Sequence, residues 1–149
     1  MGSLSLPAQG IVYLDTQVII YSIERHAVYA PLLRPLWLAL QAGHLTVATS
    51  RLTLMESLVL PMRNQDLKLV ADYEALFQAG GLDVIDIDEV VLRQAARLRA
   101  DHKKLRTPDA IHGASAMTIG ARLLVTNDQG FRGIAGLPMA LLDDILAAP

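Results

Sequence analysis

Short apolar runs alternate with segments of helical periodicity along the chain, and this alternation constrains the fold more than any other feature. The apolar runs are residues 11–14, 45–48, 82–85, 123–126 and 139–142. The segments between them repeat apolar residues at helical spacing, at 18–23, 32–42, 52–60, 65–79, 87–99 and 109–119. Strands joined through helices pair in parallel, with right-handed crossovers that place helices on both faces of the sheet. The pattern therefore predicts an α/β fold, a three-layer α/β/α sandwich around a central parallel sheet.

The ends of the helical segments carry recognisable capping residues. Ser50 is placed to cap the helix that Pro61 then ends, and Asn64 is placed to cap the long helix before Gly80. Asp86 and Glu89 can form a capping box at the start of the next helix. Thr107 is placed to cap the following helix, with Pro108 at its first helical position. These boundaries are expectations from local sequence alone.

Length and composition indicate one domain over residues 1–149, because the length is typical of a single domain and no repeat or long linker divides it. The apolar stretches are all shorter than the roughly 18 residues that span a bilayer, so no membrane contact is expected. The N-terminus does not resemble a signal peptide and the chain has no cysteine, which favours the cytoplasm and excludes disulfides and thiolate zinc sites. The net charge of −2 gives no general attraction to nucleic acid.

Acidic residues stand where ligands bind in open parallel sheets, at the carboxyl ends of strands and in the first turns of helices. These residues are Asp15, Glu56, Asp109 and Asp128. Three of them have a structural alternative. Asp15 can cap a helix, Asp128 can belong to a turn, and the charge of Asp109 can be stabilised by the dipole of its helix. Glu56 lies in a helix so apolar that no wide solvent face is expected, and its carboxylate needs a partner there.

Convergence of the four carboxylates on one rim implies a cation. Carboxylates a few ångströms apart repel each other and must take up protons or bind cations. Mg²⁺ or Mn²⁺ suits such an oxygen-rich site. Two such ions can activate water and stabilise the leaving oxygen of a phosphodiester. Metal-dependent phosphodiester hydrolysis is the chemistry this pattern favours.

Four motifs resemble the PIN-domain family, the fold shared by VapC-type toxin nucleases, and the likeness runs from about residue 11 to about 146. The motifs are the run ending Leu14-Asp15-Thr16, the segment from Ser50 to Glu56, the segment Thr107-Pro108-Asp109-Ala110-Ile111-His112-Gly113-Ala114-Ser115-Ala116, and Leu124-Val125-Thr126-Asn127-Asp128. The third motif carries small residues that let its helix lie close to the sheet. Gln17 departs from the family, which usually carries Asn at that position.

The resemblance implies that Asp15, Glu56, Asp109 and Asp128 bind Mg²⁺ or Mn²⁺ and carry out catalysis. It also implies supporting roles for the polar residues Thr16, Thr126 and Asn127. The expected reaction is endonucleolytic cleavage of single-stranded RNA by the toxin of a toxin-antitoxin pair. An antitoxin protein and a second copy of the chain are the expected partners, and the 52% hydrophobic content fits homodimerisation.

A basic segment leads directly into the Asp109 motif and is a candidate for RNA binding. Its strongest candidates are Arg99, Lys103, Lys104 and Arg106. Phosphate contacts need only Lys or Arg within reach, although a solvated helix face accounts for such a run equally well. His102 and His112 carry no assigned acid or base role.

Other functions compete with this interpretation. A phosphotransferase of the haloacid dehalogenase type is disfavoured, because it requires a second Asp where this chain has Gln17. Nucleotide-binding folds are also disfavoured, because their glycine-rich phosphate loops do not occur in the sequence. The open alternative is a PIN-like module that binds RNA or protein without catalysis.

Overall fold

The computed structural model describes residues 2–149, and in that range a five-stranded sheet is flanked by seven helices. The strands are β1 (Ile11–Leu14), β2 (Thr46–Ser50), β3 (Asp83–Ile85), β4 (Leu123–Thr126) and β5 (Met139–Leu141). The helices are α1 (Thr16–Ile23), α2 (Tyr29–Gln41), α3 (Arg51–Arg63), α4 (Leu67–Gln78), α5 (Glu89–Asp101), α6 (Thr107–Thr118) and α7 (Leu142–Ala147). A single 3₁₀ turn, Gln129–Phe131, follows β4. The predicted α/β class is confirmed.

The sheet is entirely parallel and its order is β3-β2-β1-β4-β5. The chain moves outward on one side of β1 through β2 and β3, and then crosses to the other side for β4 and β5. The strand order therefore reverses between β1 and β4. In open α/β sheets, that reversal opens a crevice at the carboxyl ends of the two strands.

Each face of the sheet has its own hydrophobic core, as a three-layer sandwich requires. Alternation along β1 sends Val12 and Leu14 into one core and Tyr13 into the other. The first core is packed with residues of α1 to α4, whereas the second is packed with residues of α5 and α6. The predicted three-layer α/β/α sandwich is confirmed.

Small residues on α6 let that helix pack closely, as the third motif predicted. Ala110, Ala114 and Ala116 are fully buried. A Cβ added to Gly113 would meet the Leu98 side chain of α5 at 3.3 Å, which leaves little room for a larger residue. Helices α5 and α6 can therefore lie against each other and against the sheet.

Several predicted helix ends are wrong. Pro61 lies inside α3, because its fixed φ is a helical value and only one hydrogen bond is lost. Asn64 closes α3, while Asp66 caps α4 by accepting a hydrogen bond from the Leu69 amide at 3.1 Å. Asp88, rather than Asp86, caps α5. The start of α6 is also displaced, with Arg106 at the cap and Thr107 already helical.

No helix within residues 2–149 combines the length and the hydropathy that crossing a membrane requires.

Candidate active site

A cavity of about 640 Å³ lies at the carboxyl ends of β1 and β4, where the strand order reverses. All four acids singled out in the sequence line it, namely Asp15, Glu56, Asp109 and Asp128. Its other lining residues are Thr16, Gln17, Ile20, Tyr21, His112, Asn127 and Gln129. Residues from distant parts of the sequence thus meet in one cavity.

Asp15 is the most deeply buried of the four acids, with 6% of its surface exposed. It caps α1 by accepting a hydrogen bond from the Val18 amide at 3.4 Å, and it also accepts a short hydrogen bond from the Thr126 hydroxyl. Burial raises the pKa of Asp15, and the charge of Asp128 raises it further. The hydrogen bond from Thr126 lowers this pKa but does not offset the rise. An ionised Asp15 would therefore be stabilised by a nearby cation.

Asp128 combines a turn role with a place in the cavity. Its carboxylate accepts a hydrogen bond from the Gly130 amide at 2.7 Å, and its own amide donates to the Thr126 hydroxyl oxygen at 3.0 Å. Thr126 therefore links Asp15 to Asp128 across the end of β4. The capping and turn alternatives for these two acids are correct, and they coexist with exposure to the cavity.

Asp109 lies in the first turn of α6, beside a guanidinium group. Arg106 donates to the Asp109 carboxylate at 3.2 Å and to the Asp128 carboxylate at 3.3 Å. Burial and the charge of Asp128 raise the pKa of Asp109, while Arg106 lowers it. A protein cation thus bridges two carboxylates that repel each other.

Glu56 is held as an anion by protein donors. Its Oε1 accepts a hydrogen bond from the Thr16 hydroxyl at 2.7 Å and lies 2.7 Å from His112 Nε2. Burial raises the pKa of Glu56, but the hydrogen bonds from His112 and Thr16 outweigh it, and the pKa lies below its usual value. The expected partner of this carboxylate is therefore a histidine and a threonine.

The solvent face of α3 differs from the prediction. The helix does have an exposed side, and that side is apolar because Met55, Val59, Leu60 and Met62 are each between 43% and 56% exposed. The absence of a polar face in the sequence does not mean that the helix is buried all round.

His112 is the main site residue that the sequence left without a role. It is 3% exposed, and its Nδ1 lies 2.7 Å from the hydroxyl of Tyr13, a residue of β1. Burial raises the pKa of Tyr13, so that hydroxyl keeps its proton and donates to Nδ1. Nε2 then carries the imidazole proton and donates to Glu56. One signal was available: His112 stands three residues after Asp109, on the same helix face.

The remaining predicted residues differ in their distance from the cavity. Asn127 lines it, accepts a hydrogen bond from the Asp143 amide at 2.9 Å and donates weakly to the Tyr21 hydroxyl at 3.4 Å. Gln17 also lines it and is exposed, as a group that contacts substrate would be. Thr126 lies behind the cavity and contacts it through Asp15.

None of the four predicted RNA-binding residues lines the cavity. Arg99 is bonded to the Leu105 carbonyl at 3.2 Å and the Thr107 hydroxyl at 2.9 Å, so it fastens the loop before α6. Lys103 and Lys104 are exposed. Arg106 alone of the four predicted RNA-binding residues contacts the acids.

The donor set suits a hard divalent cation, although the acids do not form a tight cluster. Within residues 2–149, no three His, Asp or Glu side chains lie close enough to hold one ion. The predicted convergence therefore extends only to a shared cavity, in which Arg106, Thr16 and His112 each contact a carboxylate. Carboxylate oxygens are nevertheless the ligands that Mg²⁺ and Mn²⁺ prefer, and the charge of Asp128 raises the pKa of both Asp15 and Asp109.

Fold and site together define a class: an open parallel α/β protein with an acidic cavity at the reversal of its strand order. A model of the PIN domain matches residues 12–137, and the chain belongs to the PIN domain family. No curated protein matches the sequence.

Solved structures share this fold at low sequence identity. A chain of VapBC2 from Rickettsia felis, crystallised with a DNA fragment from its promoter, is 21% identical, with a TM-score of 0.72 over 88% of this chain and 98% of that one. A chain of VapBC-1 from nontypeable Haemophilus influenzae is 20% identical, with a TM-score of 0.67 over 89% and 98%. Mycobacterium tuberculosis VapC20, described as a sarcin-ricin loop cleaving toxin, is 20% identical, with a TM-score of 0.66 over 85% and 95%.

Proposed function

We propose that this protein is a divalent-metal-dependent endoribonuclease that hydrolyses single-stranded RNA, and that it is the toxin of a toxin-antitoxin pair acting in the cytoplasm. The observation that carries the proposal is the meeting of Asp15, Glu56, Asp109 and Asp128 in one cavity at the strand-order reversal. The likeness to VapC20, which is described as a sarcin-ricin loop cleaving toxin, supports it. So does membership of the PIN domain family.

Asp15, Asp109, Asp128 and Glu56 are the residues that would hold Mg²⁺ or Mn²⁺. When bound, the metal would supply activation of water and neutralisation of charge on the phosphodiester. Asp15 would be oriented by Thr126 through their hydrogen bond. Arg106 would have to leave at least one of Asp109 and Asp128 to admit the cation.

On the other side of the cavity, the protein's own donors fix Glu56. Thr16 and His112 hold its carboxylate ionised and in one orientation, and Tyr13 holds the His112 ring. Carboxylates that are already ionised and oriented reduce the reorganisation needed during reaction. Released Arg106, together with the exposed Lys103 and Lys104, would be free to contact RNA phosphates.

The test is cleavage of an end-labelled single-stranded RNA with Mg²⁺ or Mn²⁺, with EDTA, and with Asp15→Asn and Asp128→Asn variants. We expect metal-dependent cleavage that both variants lose while remaining folded. Asp83→Asn is the matched control, because Asp83 is an exposed acid at the start of the edge strand β3 and does not line the cavity. The absence of cleavage with either metal on varied RNAs would support the non-catalytic module instead.

The same proposal includes two protein partners. Structures such as the VapBC pairs from Rickettsia felis and Haemophilus influenzae support an antitoxin partner. The exposed apolar side chains of α3 support a homodimer, since exposed apolar surface favours association. Light scattering of the purified chain tests the dimer, and a monomer at high concentration would contradict it.

A further inference from the structure

Three aromatic rings pack together at the rim of the acidic cavity. The rings of Tyr21 and Tyr29 are stacked, with centroids 4.3 Å apart and an angle of 24° between their planes. The His26 ring lies 5.0 Å from Tyr21 and 4.8 Å from Tyr29. We call Tyr21, His26 and Tyr29 the aromatic cluster. Its rings remain accessible, because His26 is exposed and both tyrosines are only half-buried.

The aromatic cluster is continuous with the cavity. Tyr21 itself lines the cavity, and its hydroxyl receives the weak hydrogen bond from Asn127, another lining residue. The Tyr29 hydroxyl donates to Asp143 at 2.6 Å, and Asp143 in turn is bonded to Asn127. These hydrogen bonds help to hold the two tyrosine rings beside the cavity.

Two arginines line a second cavity close to the aromatic cluster. Arg25 and Arg34 line this cavity of about 560 Å³ together with Ser22, Ala30 and Trp37. Both arginines are exposed, and neither forms an ion pair within residues 2–149. Ser22 and Ala30 directly follow Tyr21 and Tyr29 in the chain, so the second cavity adjoins the aromatic cluster.

We infer that the aromatic cluster is a stacking platform for a nucleobase of single-stranded RNA, and that Arg25 and Arg34 contact phosphates further along the strand. Single-stranded RNA is bound by stacking its unpaired bases on aromatic rings and by basic groups that follow the backbone. A phosphodiester held in the acidic cavity would place the adjoining base against Tyr21. The inference rests on the proposed function, because it supplies the RNA-binding surface that the acidic cavity lacks.

The test separates binding from cleavage by replacing Mg²⁺ with Ca²⁺ and measuring fluorescence anisotropy with a labelled mixed-sequence single-stranded RNA. The central pair of variants is Tyr21→Leu/Tyr29→Leu and Tyr21→Phe/Tyr29→Phe. Leucine keeps apolar packing but has no flat face, whereas phenylalanine keeps the ring. We expect the leucine variant to bind RNA about tenfold more weakly, as for loss of one stacked base, and the phenylalanine variant to retain most of the affinity.

Two controls isolate stacking from folding. Phe77→Leu makes the same kind of change at a half-buried ring outside the cavity and should leave the Kd unchanged. An abasic oligomer with the same backbone should bind wild-type protein and the leucine variant equally. His26→Ala should weaken RNA binding two- to threefold. Because His26 is exposed, this change leaves no cavity in the hydrophobic core.

Each outcome has a definite meaning. Equal affinity of the leucine and phenylalanine variants for RNA, or no binding of RNA by wild-type protein, would overturn the platform. The same holds if the leucine variant also loses affinity for the abasic oligomer. Base-dependent RNA binding without cleavage in Mg²⁺ or Mn²⁺ would support the platform and contradict the nuclease proposal, so the two failures are distinguishable.

Discussion

The two sides of the acidic cavity treat their carboxylates differently. On the Asp15 side (Asp15, Asp109 and Asp128), burial and mutual repulsion raise the pKa of Asp15 and Asp109. On the Glu56 side (Glu56 with Thr16 and His112), burial also acts, but two hydrogen bonds lower the pKa of the carboxylate. A cation would therefore stabilise the ionised carboxylates on the Asp15 side, whereas protein hydrogen bonds already stabilise the ionised carboxylate of Glu56. We therefore expect the proposed cation to bind mainly on the Asp15 side.

The largest effect is expected from Asp15→Asn. Loss of this buried carboxylate, the proposed metal ligand, should reduce RNA cleavage at least a hundredfold, beyond the range for residues that only support a metal ligand. In EDTA, the same variant should unfold at a higher temperature than wild type at neutral pH, because it removes a buried charge. Each kcal/mol gained would raise the Tm by about 2 to 4 °C.

The pH dependence of that difference tests its cause. The folded-state pKa of Asp15 is raised, so the folded protein binds this proton more tightly than the unfolded chain does. Wild-type stability should therefore rise relative to Asp15→Asn as pH falls from the folded-state pKa towards the ordinary value. A difference in Tm that stays constant between neutral and acidic pH would show that the charge is not the cause.

On the Glu56 side, His112→Leu should lower cleavage about 10- to 100-fold by freeing Glu56. It should also destabilise the fold by about 1 to 3 kcal/mol, because the Tyr13 hydroxyl loses its buried partner. His112→Gln, whose amide can still donate to Glu56, should restore part of the activity. His112 is a positioning residue, so kcat should fall more than KM rises. Equal activity of the leucine and glutamine variants would contradict the donor role.

Arg106→Gln should tighten Mn²⁺ binding about two- to fivefold, because the guanidinium no longer competes for Asp109 and Asp128. Calorimetric titration in the absence of RNA measures this effect. Arg97→Gln, at an exposed arginine of α5, is the matched control. Unchanged or weaker Mn²⁺ binding by the Arg106 variant would indicate that Arg106 does not occupy the cation's place.

The smallest effect is expected from Lys103→Ala/Lys104→Ala. Loss of two phosphate contacts should weaken RNA binding slightly and reduce the slope of log K against log salt by about 0.7 per contact. Lys68→Ala, at an exposed lysine of α4, should leave the slope unchanged. A slope equal to that of wild type would show that these lysines do not contact RNA phosphates.

The sheet could be predicted from the sequence because strand patterns are local. Each apolar run begins and ends within two residues of the ends of a strand. Helix ends were harder, since Pro61 is compatible with helical φ and several polar residues near each start compete to be the cap. The choice among them depends on packing against the rest of the fold.

The acids could be predicted because each stands at a strand end or in a helix beside one. Their partners could not, since His112 is 56 residues from Glu56 and 99 from Tyr13 and meets them only where α6 packs against α3 and the sheet. Arg106 illustrates the same point: its charge suggested RNA, and the structure places it between two carboxylates. Residue type shows what a side chain can do, but only its neighbours show what it does.

The central claim is that the cavity binds a divalent cation through its Asp15 side. Thermal unfolding with and without Mn²⁺, for wild type and for Asp15→Asn, tests it most directly because a ligand that binds only the folded state raises the Tm. We predict that Mn²⁺ raises the Tm of the wild-type protein and leaves that of Asp15→Asn nearly unchanged. An equal rise in both proteins, or no rise in wild type, would contradict the claim.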